Sequence, residues 1–230
     1  MINGKSVLAI TLARGGSKGI TKKNICEVRG KPLLLYTTDE VKKSKYIDRY
    51  IVSTEDQDIT KVCRENDVEV HVRPKYLSED TTRSSDAIID AVNKNSGYDY
   101  IVEIMCTNPL KTVCDIDGCI EKLDNTGADS VVSVVRLYDH HPSRIKYIEN
   151  DRLIDFYPEV AESRRQDLYP PAYVRNGSVY ATTKESLLES RMRLGKDTRP
   201  YVMKEENTIN IDEKIDLYIA ERMIYERDSK

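Results

Sequence analysis

Hydrophobic and polar positions change rhythm repeatedly over the first 135 residues. Residues 6–12 (SVLAITL) form an apolar, β-branched run that stops at a glycine-rich turn, the pattern of a buried strand. Residues 32–44 (PLLLYTTDEVKKS) open on proline and turn polar along one face, which predicts a helix with Pro32 at its first position. A second strand is expected at 50–54 (YIVST), a helix at 56–66 ending on Asn66 and Asp67, and a third strand at 68–72 (VEVHV). Apolar residues at 87, 88, 91 and 92 make a helical stripe within 84–94. A strand at 100–105 (YIVEIM), a helix at 114–123 and a strand at 130–135 (SVVSVV) follow.

Short strands joined by helical crossovers predict an α/β fold with a mostly parallel, doubly wound sheet covered on both faces. Ligands of such sheets bind beyond the carboxyl ends of the strands, which puts the loop at 13–24 at the expected mouth. Between 136 and 176 the rhythm breaks. That stretch holds Pro142, Pro158, Pro170 and Pro171 with many tyrosines and arginines, and reads as an excursion forming a small lid or a dimerisation arm. Alternation resumes with a strand at 178–183, a helix at 184–191, a strand at 201–204 and a last helix at 212–227. No internal repeat is visible, and residues 1–230 read as a single domain.

Charge and cysteine content narrow the class. A net charge of -3 argues against a nucleic-acid partner. The cysteines, Cys26, Cys63, Cys106, Cys114 and Cys119, are odd in number and show no C-x-x-C spacing, so neither a disulfide framework nor a zinc knuckle is expected. His71, His140 and His141 are badly placed for a metal cluster. The opening MINGKSVLAITLARGG lacks the features of a signal peptide, and no apolar run reaches the ~18–20 residues of a membrane span. A cytoplasmic protein with reduced thiols and no membrane partner is expected.

The strongest chemical signal is Leu12-Ala-Arg-Gly-Gly-Ser-Lys-Gly-Ile-Thr-Lys-Lys-Asn24. Gly15, Gly16 and Gly19 allow unusual backbone shapes and close approach of main-chain N–H groups to an anion. Arg14, Lys18, Lys22 and Lys23 add positive charge, which suits a nucleoside triphosphate. The spacing is neither G-x-x-x-x-G-K-[ST] nor G-x-G-x-x-G, so the common ATPase and dinucleotide readings fail. The alternative is a tight, solvated βα turn.

This loop, followed by Gly30-Lys31-Pro32-Leu33, resembles the signature of the CMP-sialic acid synthetases, the acylneuraminate cytidylyltransferases. Eleven residues separate Lys18 from Gly30, a spacing similar to the nonulosonate branch and longer than in the related CMP-KDO synthetases. Further matches are Arg73-Pro74, residues 77–81 leading to Ser84, Thr107-Asn-Pro-Leu110, His141-Pro142, Arg165-Gln166, Asn176-Gly177 with Tyr180, and Ile211-Asp212 with Asp216. The resemblance implies the sheet of the nucleotide-diphospho-sugar transferases, a homodimer, and transfer of CMP from CTP to an acidic 2-keto sugar. N-acetylneuraminic, legionaminic, pseudaminic and KDN acids are candidates, KDO is disfavoured by the loop length, and a nucleotidyltransferase for an ordinary sugar phosphate or a cofactor is a further alternative. A non-catalytic nucleotide-binding protein is the rival from another class.

Carried over by resemblance, Ala13, Arg14, Gly15, Gly16, Ser17, Lys18, Lys23 and Asn24 surround the nucleotide, with Arg14, Lys18 and Lys23 as the catalytic cations. Arg73 and Ser84 stand near the nucleoside. Read locally, Arg73 fits a surface pair with Asp80, and Ser84 fits a helix N-cap. Arg144 (or Lys146), Arg165 (or the adjacent Arg164), Asn176, Gly177 and Tyr180 line the sugar pocket. Asn176-Gly177 also carries hairpin-turn chemistry, and His141 reads as structural. Relatives place an Asp-x-Asp pair before the last helix to hold Mg²⁺ (or Mn²⁺). Here the pair is Asn210 and Asp212, and Asp212 also fits an N-cap. Met105-Cys106 stands where many relatives place Gln-Pro. No Ser–His or Cys–His pair offers a nucleophile, so direct displacement at the α-phosphorus is expected.

Overall fold

The computed structural model describes residues 1–159 and 164–229. Residues 160–163 of the predicted excursion lie outside the described residues. In chain order the elements are β1 (Val7–Leu12), β2 (Glu27–Val28), β3 (Lys31–Pro32), α1 (Leu33–Val41), β4 (Arg49–Thr54), α2 (Gln57–Glu65), β5 (Glu69–Val72), α3 (Ser84–Lys94), β6 (Tyr100–Ile104), α4 (Val113–Thr126) and β7 (Ser130–Leu137). Then come β8 (Lys146–Glu149), β9 (Arg152–Asp155), β10 (Ala172–Thr183), α5 (Lys184–Ser190), β11 (Thr198–Val202) and α6 (Lys214–Asp228).

Seven strands form one sheet in the order β11-β7-β10-β6-β1-β4-β5. Every neighbouring pair is parallel except those of β10, which runs antiparallel to both β6 and β7. Alternate residues of β1 explain its unbroken apolar run. Val7 and Ala9 pack with Ile116, Cys119, Ile120 and Leu123 of α4, while Leu8 and Ile10 pack with Ile88, Ile89, Ala91 and Val92 of α3. With helices on both faces, no position on such a strand is left for water.

Local chemistry corrects several expected boundaries. Pro32 precedes α1 as its N-cap and pairs with Glu27 in the two-residue β2–β3 hairpin, whose turn is Arg29 and Gly30 at φ 50° and 73°. Ser84 is the first residue of α3 and makes no capping bond, so its hydroxyl is available to the site. Glu213, with Asp216, forms the capping box of α6, so Asp212 does not serve as the N-cap. The expected hairpin turn at Asn176-Gly177 is instead a bulge inside β10: pairing with β7 shifts register between Arg175 and Tyr180, and Gly177 takes φ 59°. A real hairpin occupies part of the excursion, where β8 and β9 turn on Asn150 and Asp151, both at positive φ. His141 is buried, with Nε2 2.8 Å from the Pro170 carbonyl.

Candidate active site

The loop after β1 begins as an extension of the sheet, with the Ala13 N–H bonded to Ser53 O at 3.0 Å. The Ala13 side chain is in the core, so it braces the loop from beneath. Gly15, Gly16 and Gly19 all have negative or extended φ, and the left-handed residue of the loop is Lys22 at φ 51°. Glycine is required for space at two of the three. A Cβ on Gly15 would lie 2.2 Å from Asp56 Oδ2, and one on Gly19 would lie 2.4 Å from Asp212 O. The Gly15 N–H is also committed, donating to Glu55 Oε1 at 2.9 Å. Asn24 is a staple: its Nδ2 donates to Arg14 O at 2.9 Å, and its Oδ1 accepts from the Cys106 thiol at 3.2 Å.

The cations of this loop are held by carboxylates. Asp80 bridges Arg14 Nη1 at 2.7 Å and Lys18 Nζ at 2.8 Å. Hydrogen bonds from Lys18 and then Arg14 hold the Asp80 carboxyl below its ordinary range. Lys23, only 16% exposed, donates to Asp212 Oδ1 at 2.8 Å and to Ile211 O at 2.9 Å. Lys22 turns away to Asp58 on α2.

Behind these pairs is a cleft of about 440 Å³ whose lining includes Arg14, Ser17, Lys18, Lys23, Asn24, Arg73, Ser84, Glu103 and Asp212. Its size is that of a small-ligand site. Ala13, Gly15 and Gly16 do not line it. Arg73 is buried and pairs with Glu55, not Asp80: Nη2 lies 3.3 Å from Glu55 Oε2, and Nε donates to Ser78 Oγ at 2.7 Å. Burial acts to raise the Glu55 carboxyl, but hydrogen bonds from Ser78 and the Gly15 N–H outweigh it and leave it lowered. Burial likewise lowers the Arg73 guanidinium, with Glu55 opposing. Thr54 pairs with Val72 in register, so the residues after both strands, Glu55 and Arg73, emerge side by side. That signal is available only once β4 and β5 are known to be neighbours.

Met105 and Ser84 separate this cleft from a second chamber, also about 440 Å³, bordered by Arg175, Asn176, Gly177, Tyr180, Arg193 and Asn210. Asn176 is a wall brace: Oδ1 accepts from Ser133 at 2.7 Å and Nδ2 donates to Thr208 at 3.1 Å. Arg144 and Arg165 stand outside both spaces. Arg144 Nε is 3.7 Å from Glu159, and Arg165 Nη1 is 2.8 Å from Asp139 with its guanidinium over Tyr138. Lys146 bridges Asp155 and Glu159. Sequence reasoning missed Glu55, Glu103, Arg175 and Arg193. Glu103 left a trace, as the lone carboxylate in an otherwise apolar strand, where burial demands a cationic partner.

Asn210 Oδ1 accepts from Thr107 at 2.8 Å, and its Nδ2 donates to Asp212 Oδ2. Among the described residues no cluster of three or more His, Cys, Asp or Glu side chains could cage a metal. Mg²⁺ is commonly held by one or two carboxylates completed by substrate phosphates and water, and Asp212 is the carboxylate of the pair that could serve, once a metal displaces Lys23 and Asn210 from its oxygens. Among the described residues no helix is long and apolar enough to cross a membrane.

The chain is 33% identical over 224 residues to N-acylneuraminate cytidylyltransferase A of Danio rerio, covering 96% of this chain and 51% of that one. It is 29% identical to N-acylneuraminate cytidylyltransferase of Streptococcus agalactiae serotype V, covering 91% and 51%. The chain thus spans about half the length of these relatives. It is 24% identical to post-translational flagellin modification protein B of Campylobacter coli, with 96% of each chain covered. In fold it is similar to CMP:2-keto-3-deoxy-manno-octonic acid synthetase complexed with CTP (TM-score 0.76, 14% identity, 96% and 99% covered). The 4-diphosphocytidyl-2C-methyl-D-erythritol synthase of Anaerococcus prevotii gives 0.67 at 17% identity, with 97% and 100% covered. Residues 8–218 match the cytidylyltransferase family, and the chain belongs to it.

Proposed function

We propose that the protein transfers CMP from CTP to the anomeric hydroxyl of a nonulosonic acid, N-acetylneuraminate or a relative such as legionaminate, and releases pyrophosphate. The observation that carries this reading is the set of carboxylate-held cations on the β1 loop, with a chamber bordered by two arginines on the other side of Met105 and Ser84. A triphosphate entering the cleft exchanges places with Asp80 and takes Arg14 and Lys18 as its own partners. Arg73 and Ser84 then border the nucleoside, and the sugar occupies the second chamber.

The reaction needs no covalent intermediate. The sugar oxygen forms a bond to the α-phosphorus as its hydroxyl proton passes to solvent, and the bond from that phosphorus to the bridging oxygen breaks, its electron pair leaving with pyrophosphate. The negative charge gathering on pyrophosphate is met by Lys18 and Lys23. Asp212, with Asn210 beside it, would hold Mg²⁺ or Mn²⁺, which when bound supplies divalent charge to the triphosphate. Arg144 and Arg165 would have to leave Glu159 and Asp139 to touch the sugar. Residues 1–230 would act as one catalytic domain in the cytoplasm. The hairpin arm exposes Ile148, Leu153, Phe156 and Tyr157, an apolar surface suited to a second copy of the chain in a homodimer.

Pyrophosphate release from CTP, measured against N-acetylneuraminic, legionaminic, pseudaminic, KDN and KDO acids, tests the reading. Turnover with a nine-carbon acid is expected, with the other nucleotides inactive. CTP binding without turnover on any acid would instead mark a nucleotide-binding protein without catalysis.

A further inference from the structure

The second chamber contains a cation that nucleotide binding does not explain. Arg193 follows α5, and its side chain is 26% exposed. Its Nη1 donates to Glu103 Oε2 at 2.8 Å, and its guanidinium carbon stands 4.4 Å from the centre of the Tyr180 ring. Glu103 is 3% exposed on β6 and lines the first cleft. A guanidinium has five N–H donors. Among the described residues Glu103 is the acceptor for Nη1, and Nε and Nη2 have no protein acceptor. Leaving that much donor capacity dry is unfavourable, so this edge requires acceptors from solvent or a ligand.

The surroundings favour a ligand that is an anion. Arg193 and Arg175 both border the chamber, and no Asp or Glu does so among the described residues. The ion pair fixes one edge of the Arg193 fork, and the Tyr180 ring supports its face. The Nε–Nη2 edge is thereby held in a set plane, the arrangement that receives a carboxylate through two parallel hydrogen bonds. Arg165, in contrast, is 51% exposed and already paired with Asp139.

We propose that Arg193 grips the carboxylate of the acidic sugar, with Glu103 and Tyr180 as its positioning residues, so that this chamber selects acids over neutral sugars. The proposal rests on the reading of the second chamber as the sugar site. It assigns the carboxylate to a residue outside the glycine loop and outside the excursion at 136–176.

The test is steady-state pyrophosphate release by the full chain, with CTP and sugar varied separately. Variants are Arg193→Lys, Arg193→Met and the double Arg193→Met/Glu103→Gln, which leaves no unpaired buried carboxylate. The sugar KM is expected to rise roughly 10- to 100-fold in all three, as for loss of hydrogen bonds to a charged group, while the CTP KM stays put. The wild type should discriminate strongly against the sugar's carboxamide, and the Met variants should not. An unmoved sugar KM, equal rises in both KM values, or a selective shift in Arg165→Met instead would overturn the role of Arg193. Failure of the wild type to use any acidic sugar would overturn the functional reading itself.

Discussion

Lys23 Nζ lies 2.8 Å from Asp212 Oδ1 across 189 positions of sequence. The contact is built by its surroundings. Ile20 of the glycine loop and Ile211 share one apolar cluster with Ala220 and Ile224 of α6. Gly19 lacks the Cβ that would strike the Asp212 carbonyl. The end of the loop and the segment before α6 therefore form one wall, with an ammonium and a carboxylate presented together to the cleft.

Lys23→Ala should lower pyrophosphate release by roughly 100-fold or more, the scale seen when a preorganised charge-stabilising donor is removed. The far-UV circular dichroism and melting temperature should change little, because the apolar cluster beneath is untouched. Near-normal turnover would refute a part for Lys23 in meeting charge on the leaving group.

Asp80 holds Arg14 and Lys18 where a triphosphate is proposed to bind. These pairs are exposed and screened by solvent, so they hold the cations only weakly. Asp80→Asn should therefore tighten CTP binding by a few-fold at most, read by titration calorimetry at low salt, and steepen its salt dependence. Weaker CTP binding would show that Asp80 organises the cations and does not compete for them.

Lys111 is wholly buried, its amine donating to Thr37 Oγ1 at 2.7 Å and to the Asn108 carbonyl. Burial pushes it from 10.5 down to about 7. Between those values the unfolded chain carries a proton that the folded one lacks. Stability from this group thus rises with pH across that window and falls as pH drops toward 7. Below the window both states are protonated and the dependence ends. Chemical denaturation should give wild type a slope up to about 1.4 kcal/mol per pH unit steeper than Lys111→Met. Parallel pH profiles would show that the amine keeps its proton when buried.

Strand and helix alternation is legible in the sequence because helices cover both faces of the sheet, so β1, β4, β6 and β7 read as predominantly apolar runs. The cationic loop is legible because glycine and lysine are concentrated there. What stayed hidden depends on adjacency. The local alternative for Arg73 is a pair with Asp80, yet Asp80 faces Arg14 and Lys18, while Arg73 meets Glu55 across the β4–β5 register. The Asn176-Gly177 step carries turn chemistry, and only the pairing of β10 with both neighbours makes it a bulge. Glu103 and Arg193 lie far apart in the chain, and their partnership requires β6 and the segment after α5 to meet.

The bulge in β10 limits how the sugar chamber can diverge. Most pocket walls in α/β sheets are loops, where an insertion leaves the scaffold untouched. Here one wall is the interior of a strand bonded on both edges, and Tyr180 pairs at once with Glu103 of β6 and Val132 of β7. Adding or deleting one residue there would turn every later side chain of β10 to the opposite face. Relatives that accept different sugars should therefore keep this stretch constant in length and vary it by substitution alone.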